Sequence, residues 1–331
     1  MKSMGQSEIV VMSLLVLWPV GSVVAQAPAS RAPVSSTDQF VFYSDFRINA
    51  HDQLMQFVAA GDTARSACVA GLAEPEREAW SRGVRFYRET LSGRAGRRRL
   101  LAARFHLVGS GAEVEGELGP MPDGMGQTLD DVLVAYRTCW WEEDDAANRR
   151  WIAAIMGMLE EVGEEVASRL SQAYQTPWGE WPIPVDVAQY VNFGGGNTVV
   201  DPNHIFLTSV GAGYQGRGAL EMIFHEASHT IIGPRAGEPS RQLRLAAERL
   251  GVEVPVVLSH IVLFYTAGEV VRRVIEEKYG EQYLPYVYAG GLFDRVWPEF
   301  RQPMEAWWQP YLGGRISMTE AAEGLLKALQ Q

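Results

Sequence analysis

The sequence predicts a predominantly helical α+β protein organised round one small β-sheet. Apolar residues recur at helical spacing through most of 45–173 and again from 219 onward, while β-prone pieces are confined to the short stretch 184–210 between them. A chain of 331 residues that is 47% hydrophobic can bury a sizeable core, and its composition is that of an ordinary globular protein.

Taken in order, Lys2 precedes a nearly continuous apolar run, 9–24, followed by small residues at Val23-Val24-Ala25 and Ala25-Gln26-Ala27. This is the pattern of a secretory signal peptide over 1–27, and Pro28 turns the preference toward cleavage after Ala25. The run is shorter than the ~20 residues of a spanning helix, so the mature chain is expected to be secreted or periplasmic and free of the membrane. Residues 28–38, rich in Pro, Ala and Ser, read as a flexible leader. Cys68 and Cys139 are the only cysteines. In an oxidising compartment they have one possible pairing, with two unpaired thiols as the alternative.

Residues 39–176 read as a helical N-terminal region. Phe46, Ile48, Leu54, Phe57 and Val58 mark a helix over 45–61, and Pro75-Glu76-Arg77-Glu78 makes a good first turn for one over 75–91. Segment 100–108 fits helix or strand, and 109–126 is a Gly/Pro-rich loop. Two long helices follow, 129–141 and 146–173, the second striped by Ile152, Ile155, Met156 and Leu159. Arg97, Arg98 and Arg99 form the only dense basic run and read as a solvated helix face. With a net charge of −11 the chain is repelled by phosphate backbones, so nucleic acid is not an expected partner.

The character changes at Pro177, and 177–331 reads as a second region. Pieces 184–190 and 198–200 are β-prone, and Asn203 to Val210 is the best strand in the chain, stopped by Gly211. A glycine-rich loop to Gly218 lacks the Gly-Lys-Ser/Thr ending of a phosphate loop. Helices are then predicted over 219–232, closed by Gly233-Pro234, over 239–250, 255–279 and 319–329.

The chemistry lies in the first of these. His225 and His229 are four residues apart, so on a helix they share one face, where two imidazoles can hold one zinc ion. Glu226, turned by about 100°, lies at the edge of that face, where it can reach a water without ligating the metal. The flanks (Met222, Ile223, Phe224 and Thr230, Ile231, Ile232) are those of a buried helix.

Through this His225-Glu226-Ala227-Ser228-His229 segment the chain resembles the zincin metallopeptidases over about 203–273. The resemblance implies a zincin-like catalytic part, with the strand 203–210 along the substrate cleft and its exposed edge pairing with an extended peptide. The metzincin branch is disfavoured, because Gly233-Pro234-Arg235 follows the motif and no histidine is near. A catalytic zinc site needs a third protein ligand. Glu269, a carboxylate in the apolar run Leu263 to Val271, is where the gluzincins, thermolysin-like relatives, would place it; an ion pair with Arg272 or Arg273 is its structural alternative. His260 is the rival. If 255–279 is one helix, nine residues turn His260 about 180° from Glu269, so both cannot ligate one ion.

The expected activity is zinc-dependent hydrolysis of a peptide or protein substrate, with Glu226 as general base and Tyr265, His260, Tyr286 or Tyr288 as donor to the oxyanion. Two other readings stand beside it: a zinc hydrolase of a non-peptide amide or ester, and an inactive metal-holding binding module, against which an intact Glu226 argues. His51 reads as a hydrogen-bonded structural residue and His204 as a non-ligand on the presumed edge strand. His106 has no supporting pattern, Ser228 has no base suited to a nucleophile, and Trp297, Trp307 and Trp308 read as core, with a binding groove as the alternative.

Overall fold

A computed structural model describes residues 31–330, apart from 61–66, 109–120, 180, 192–193 and 201–202. The predicted signal peptide and the first three residues of the leader lie outside the described residues; the rest of the leader, 31–38, is not a loose segment but is tied to the sheet, with Arg31 bonded to Asp186 and Ser35–Ser36 forming its first strand. The fold is predominantly helical α+β with a five-strand mixed sheet. The strands are β1 (Ser35–Ser36), β2 (Phe40–Tyr43), β3 (Ile183–Ala188), β4 (Gly196–Val200) and β5 (Asn203–Thr208), in the order β1-β2-β3-β5-β4. The three central strands run parallel to one another, and β1 and β4 close the two edges antiparallel.

Phe40 and Phe42, two apart on β2, point to one face and are fully buried. They lie opposite Ile183 and Val185 of β3. The helical region therefore lends a strand to the sheet of the second region, and everything from Arg31 onward forms one compact unit. The strand expected over 203–210 is present as β5, but it is interior: every residue from His204 to Thr208 is buried. The exposed edge expected of it belongs to β4, because 196–200 folds back antiparallel on its open side.

Helices α1 (Phe46–Ala60), α2 (Glu74–Thr90), α3 (Gly93–Leu107) and α4 (Met125–Tyr136) build a core of their own around Trp80, Tyr87, Leu129, Val132 and Trp140. The ambiguous segment 100–108 falls in α3. Cys68 and Cys139 are bonded, with Cα atoms 5.7 Å apart. From α4 the backbone stays helical through a π turn (Arg137–Trp141), α5 (Glu142–Met158), a second π turn (Leu159–Gly163) and α6 (Glu164–Tyr174). The two predicted helices are thus joined, and each π turn takes up an extra residue so that the buried stripe stays inward. The buried Asp144 carboxylate, which accepts from Tyr136 Oη at 2.8 Å, sits at the junction.

The larger core lies between the sheet and α7 (Arg217–Ser228), α8 (Glu238–Leu250) and α9 (Leu258–Tyr279). A short helix, α10 (Tyr286–Ala289), follows, and α11 (Met318–Ala328) ends the chain behind a Ser317/Glu320 capping box. Trp308 is fully buried and donates to Thr266 Oγ1 at 2.9 Å, so it is core as expected. Among the described residues no helix is long and apolar enough to cross a membrane.

Candidate metal centre

Helix α7 begins after Gly216, whose φ of 53° glycine adopts without strain, and every residue from Ala219 to Ser228 is buried. Regular helix ends at Ser228, a turn earlier than predicted, and His229 takes the C-cap position. The chain still winds on, since the Ile231 and Ile232 amides both donate to the Ser228 carbonyl. His225 and His229 therefore keep the one-turn stacking the motif requires: their rings are 5.0 Å apart and nearly perpendicular. Ser228 is tied down, donating to the Phe224 carbonyl and accepting from Tyr174 Oη, and is no nucleophile.

The third member is His260, on the first turn of α9. Its ring centroid is 5.3 Å from that of His225 and 5.2 Å from that of His229, and the Nε2 atoms of His260 and His225 are 3.5 Å apart. All three ligand atoms lie within 4.8 Å of one another. Zinc–nitrogen bonds of about 2.0–2.1 Å put two nitrogens of a tetrahedral site about 3.3 Å apart, so this group could hold a divalent ion after small ring movements. Its electrostatics agree. Burial, with His229 and His260 beside it, holds His225 well below the usual imidazole range. Burial and His260 bring His229 down to about 3, and burial lowers His260. Neutral rings offer the lone pairs that a cation needs. His225 is buried, whereas His229 and His260 are half-buried, so the cluster opens on their side.

Glu269 is not in this group. Helix α9 is continuous from Leu258 to Tyr279, so the 180° argument applies and selects one of the two rivals. The buried Glu269 carboxylate instead takes a two-point ion pair from Arg272, with Nη2 to Oε2 at 2.8 Å and Nε to Oε1 at 3.2 Å. Its burial is answered by a cation within its own helix. Tyr265 is also turned away: it is fully buried against Tyr288 and Phe293, five residues and about 140° round from His260. Tyr288 accompanies it, donating to Glu305. Of the tyrosines expected near the site only Tyr286 comes close, stacked on Phe264, whose ring is 4.1 Å from that of His225. Trp297, one of the three tail tryptophans, adds a wall 5.7 Å from His260.

Glu226 lies beside the cluster under strand β4. Thr198 Oγ1 is 2.6 Å from Glu226 Oε2 and 2.9 Å from the Glu226 carbonyl. Burial pushes the carboxyl up to about 7, against the lowering effect of the Thr198 contact. A Cβ on Gly196 would fall within van der Waals contact of both Glu226 Oε1 and Tyr214 Oη, which places these two groups near one another. Tyr214 is held from both ends: its hydroxyl donates to the Gly194 carbonyl at 2.8 Å and its own carbonyl accepts from Trp151 Nε1. The glycines at 195, 196 and 211 all leave room for its ring, and Gly213 does the same for Tyr286. These runs, read in the sequence only as loops, make space for two aromatic residues. Thr198 and Tyr214 carry no sequence signal beyond a β-prone piece and a Gly-rich context.

His51 and His204 are structural. His51 Nδ1 lies 2.6 Å from Tyr87 Oη in the core. His204 Nε2 lies 2.7 Å from Asp186 Oδ2, a carboxylate that also takes two bonds from Arg31. No protein-family model matches this chain, and no curated protein or solved structure matches it.

Proposed function

We propose that this chain is an exported zinc-dependent hydrolase acting on peptide bonds. The observation that carries the reading is the convergence of His225, His229 and His260, with the buried Glu226 beside His225 on the same helix. Three neutral nitrogen ligands suit zinc and leave one coordination position for solvent. Zinc so held supplies a water of lowered pKa and polarises a carbonyl. The residues of this chain do the rest. Glu226, with a carboxyl near neutrality, is suited to accept the proton of the attacking water and to return it to the leaving amine. Tyr286, stacked on the Phe264 ring beside His225, is the candidate to serve the oxyanion in place of Tyr265, while the Tyr214 hydroxyl already donates to the Gly194 carbonyl. The outer strand β4 has a main-chain edge to which an extended peptide can add. Export accords with the sequence pattern at 1–27 and with the Cys68–Cys139 bond.

A second reading is favoured by one observation. The residues that cluster are three histidines, not the two histidines and glutamate of the gluzincins, and a zincin-like cleft is not required for them. A zinc hydrolase of a non-peptide amide or ester would use the same groups. Metal analysis of the purified protein, paired with a fluorogenic peptide library and a panel of amides and esters, tests both. Zinc should be bound by wild type, lost from His225→Ala and His260→Ala, and retained by Glu269→Ala. Glu226→Gln should keep zinc and lose hydrolysis by at least about 100-fold, the range of a general base. Zinc retained in His260→Ala, or full turnover in Glu226→Gln, would overturn the assignment.

A further inference from the structure

Strand β4 is the edge of the sheet, where a threonine hydroxyl ordinarily faces water. Here one face of the strand is shaped round a single carboxylate instead. Gly196 and Thr198, two apart, point to the same face. At 196 any side chain larger than hydrogen would collide with Glu226 Oε1. At 198 the hydroxyl meets Oε2 and the main-chain oxygen of the same glutamate at 2.6 and 2.9 Å. One hydroxyl thus links the tip of the Glu226 side chain to its own backbone, and Gly196 bounds the carboxylate on the other oxygen.

We propose that Thr198 is a positioning residue, which fixes the direction in which the Glu226 carboxylate faces; the assignment rests on the reading of Glu226 as the proton acceptor. A glutamate has three side-chain torsions, and nothing in α7 itself holds its carboxylate to one setting. The Thr198 bond selects that setting, and Gly196 allows it. Because an acceptor displaced by about 1 Å costs on the order of 100-fold in rate, the bond acts on turnover rather than on metal or substrate affinity.

The test compares Thr198→Val, which keeps shape and loses the hydroxyl, with Thr198→Ser, which keeps the hydroxyl, both in the zinc-loaded full chain. On peptides from the fluorogenic library that wild type cleaves, Thr198→Val should lower kcat by about 10- to 100-fold, with KM and zinc content unchanged. Thr198→Ser should restore kcat to within about threefold of wild type. Crystal structures of the two variants provide the arm that needs no substrate: the Glu226 carboxylate should turn away in the valine variant and keep its place in the serine variant. If wild type holds zinc yet cleaves nothing, the hydrolase reading falls, and the crystal structures still decide whether Thr198 directs the carboxylate. A Thr198→Val protein with Glu226 in its original place, or with undiminished kcat, would overturn the proposal.

Discussion

His225 and His229 are neutral because burial makes protonation expensive, and this links the metal-free protein's stability to pH. His229 titrates near 3 when folded and near 6.5 when unfolded. A base whose folded pKa is depressed contributes stability that is complete above about 6.5 and is lost as pH falls toward 3, because the unfolded chain takes up protons that the folded one cannot. The expected slope is about 1.4 kcal/mol per pH unit in that window for each such ring. Glu221 and Glu226, both pushed up to about 7 by burial, have the opposite sign: their contribution is complete below about 4.5 and fades as pH rises through 7. Urea melts of metal-free wild type and His229→Gln at pH 4.5 and 7 separate the terms, since the variant should lose less stability on acidification. At Glu269 the matching prediction concerns stability alone. Removing the carboxylate strips Arg272 of a two-point partner, so Glu269→Ala should cost about 2 kcal/mol, read from its melting midpoint, with zinc content unaffected. The His-Glu-x-x-His segment was legible because its chemistry is local, carried by spacing on one helical turn. The third member of the histidine cluster was half legible. Helical geometry made His260 and Glu269 exclusive, and Arg272, three residues after Glu269, is the signal that resolves the choice. Thr198 and Tyr214 had no such marker, because each reaches Glu226 across a strand or a loop.

At the scale of elements, the site is a contact between an edge strand and two helices, and glycines set how closely they approach. A Cβ on Gly213 would fall 2.1 Å from the Tyr286 ring, so Gly213→Ala has to push that tyrosine out of its stack on Phe264. The change should lower stability by about 1–3 kcal/mol, as overpacking does, while zinc remains bound. Thermal melts with metal analysis check both halves. Strand β5 was legible from its β-branched and aromatic run, and its neighbours were legible as the β-prone pieces 184–190 and 198–200, but their order in the sheet was not. Burial on both faces belongs to an interior strand, and β4, with few apolar positions of its own, carries no sign in the sequence that it covers the open side of β5. The joined helix from α4 to α6 was likewise read as two, because the charged stretch 142–145 looks like a break. In the structure Asp144 is buried there and bonded to Tyr136.

For the whole molecule, composition and periodicity were enough for a helical α+β chain with a small sheet, and the boundary at 176/177 was not a physical seam. It marks where composition changes, whereas the sheet crosses it through β2 and β3. The disulfide belongs to this scale as well. It closes a loop of 71 residues, and such a crosslink restricts the unfolded chain by up to about 4 kcal/mol. Replacing Cys68 and Cys139 by serine should lower the melting temperature and leave zinc stoichiometry intact, since the bond joins an exposed and a half-buried residue of the helical region and neither belongs to the histidine cluster. A melting curve that does not move would mean the crosslink constrains nothing.

The pairing of Phe40–Tyr43 with Ile183–Ala188 also imposes an order of assembly. A strand near the beginning must wait for one that is made more than a hundred residues later, so no amino-terminal fragment can complete the sheet by itself. If the chain crosses a membrane from its amino end, Phe40 and Phe42 emerge first and stay uncovered until the later strands arrive. For that interval the early part of the chain exposes apolar surface that the finished sheet hides.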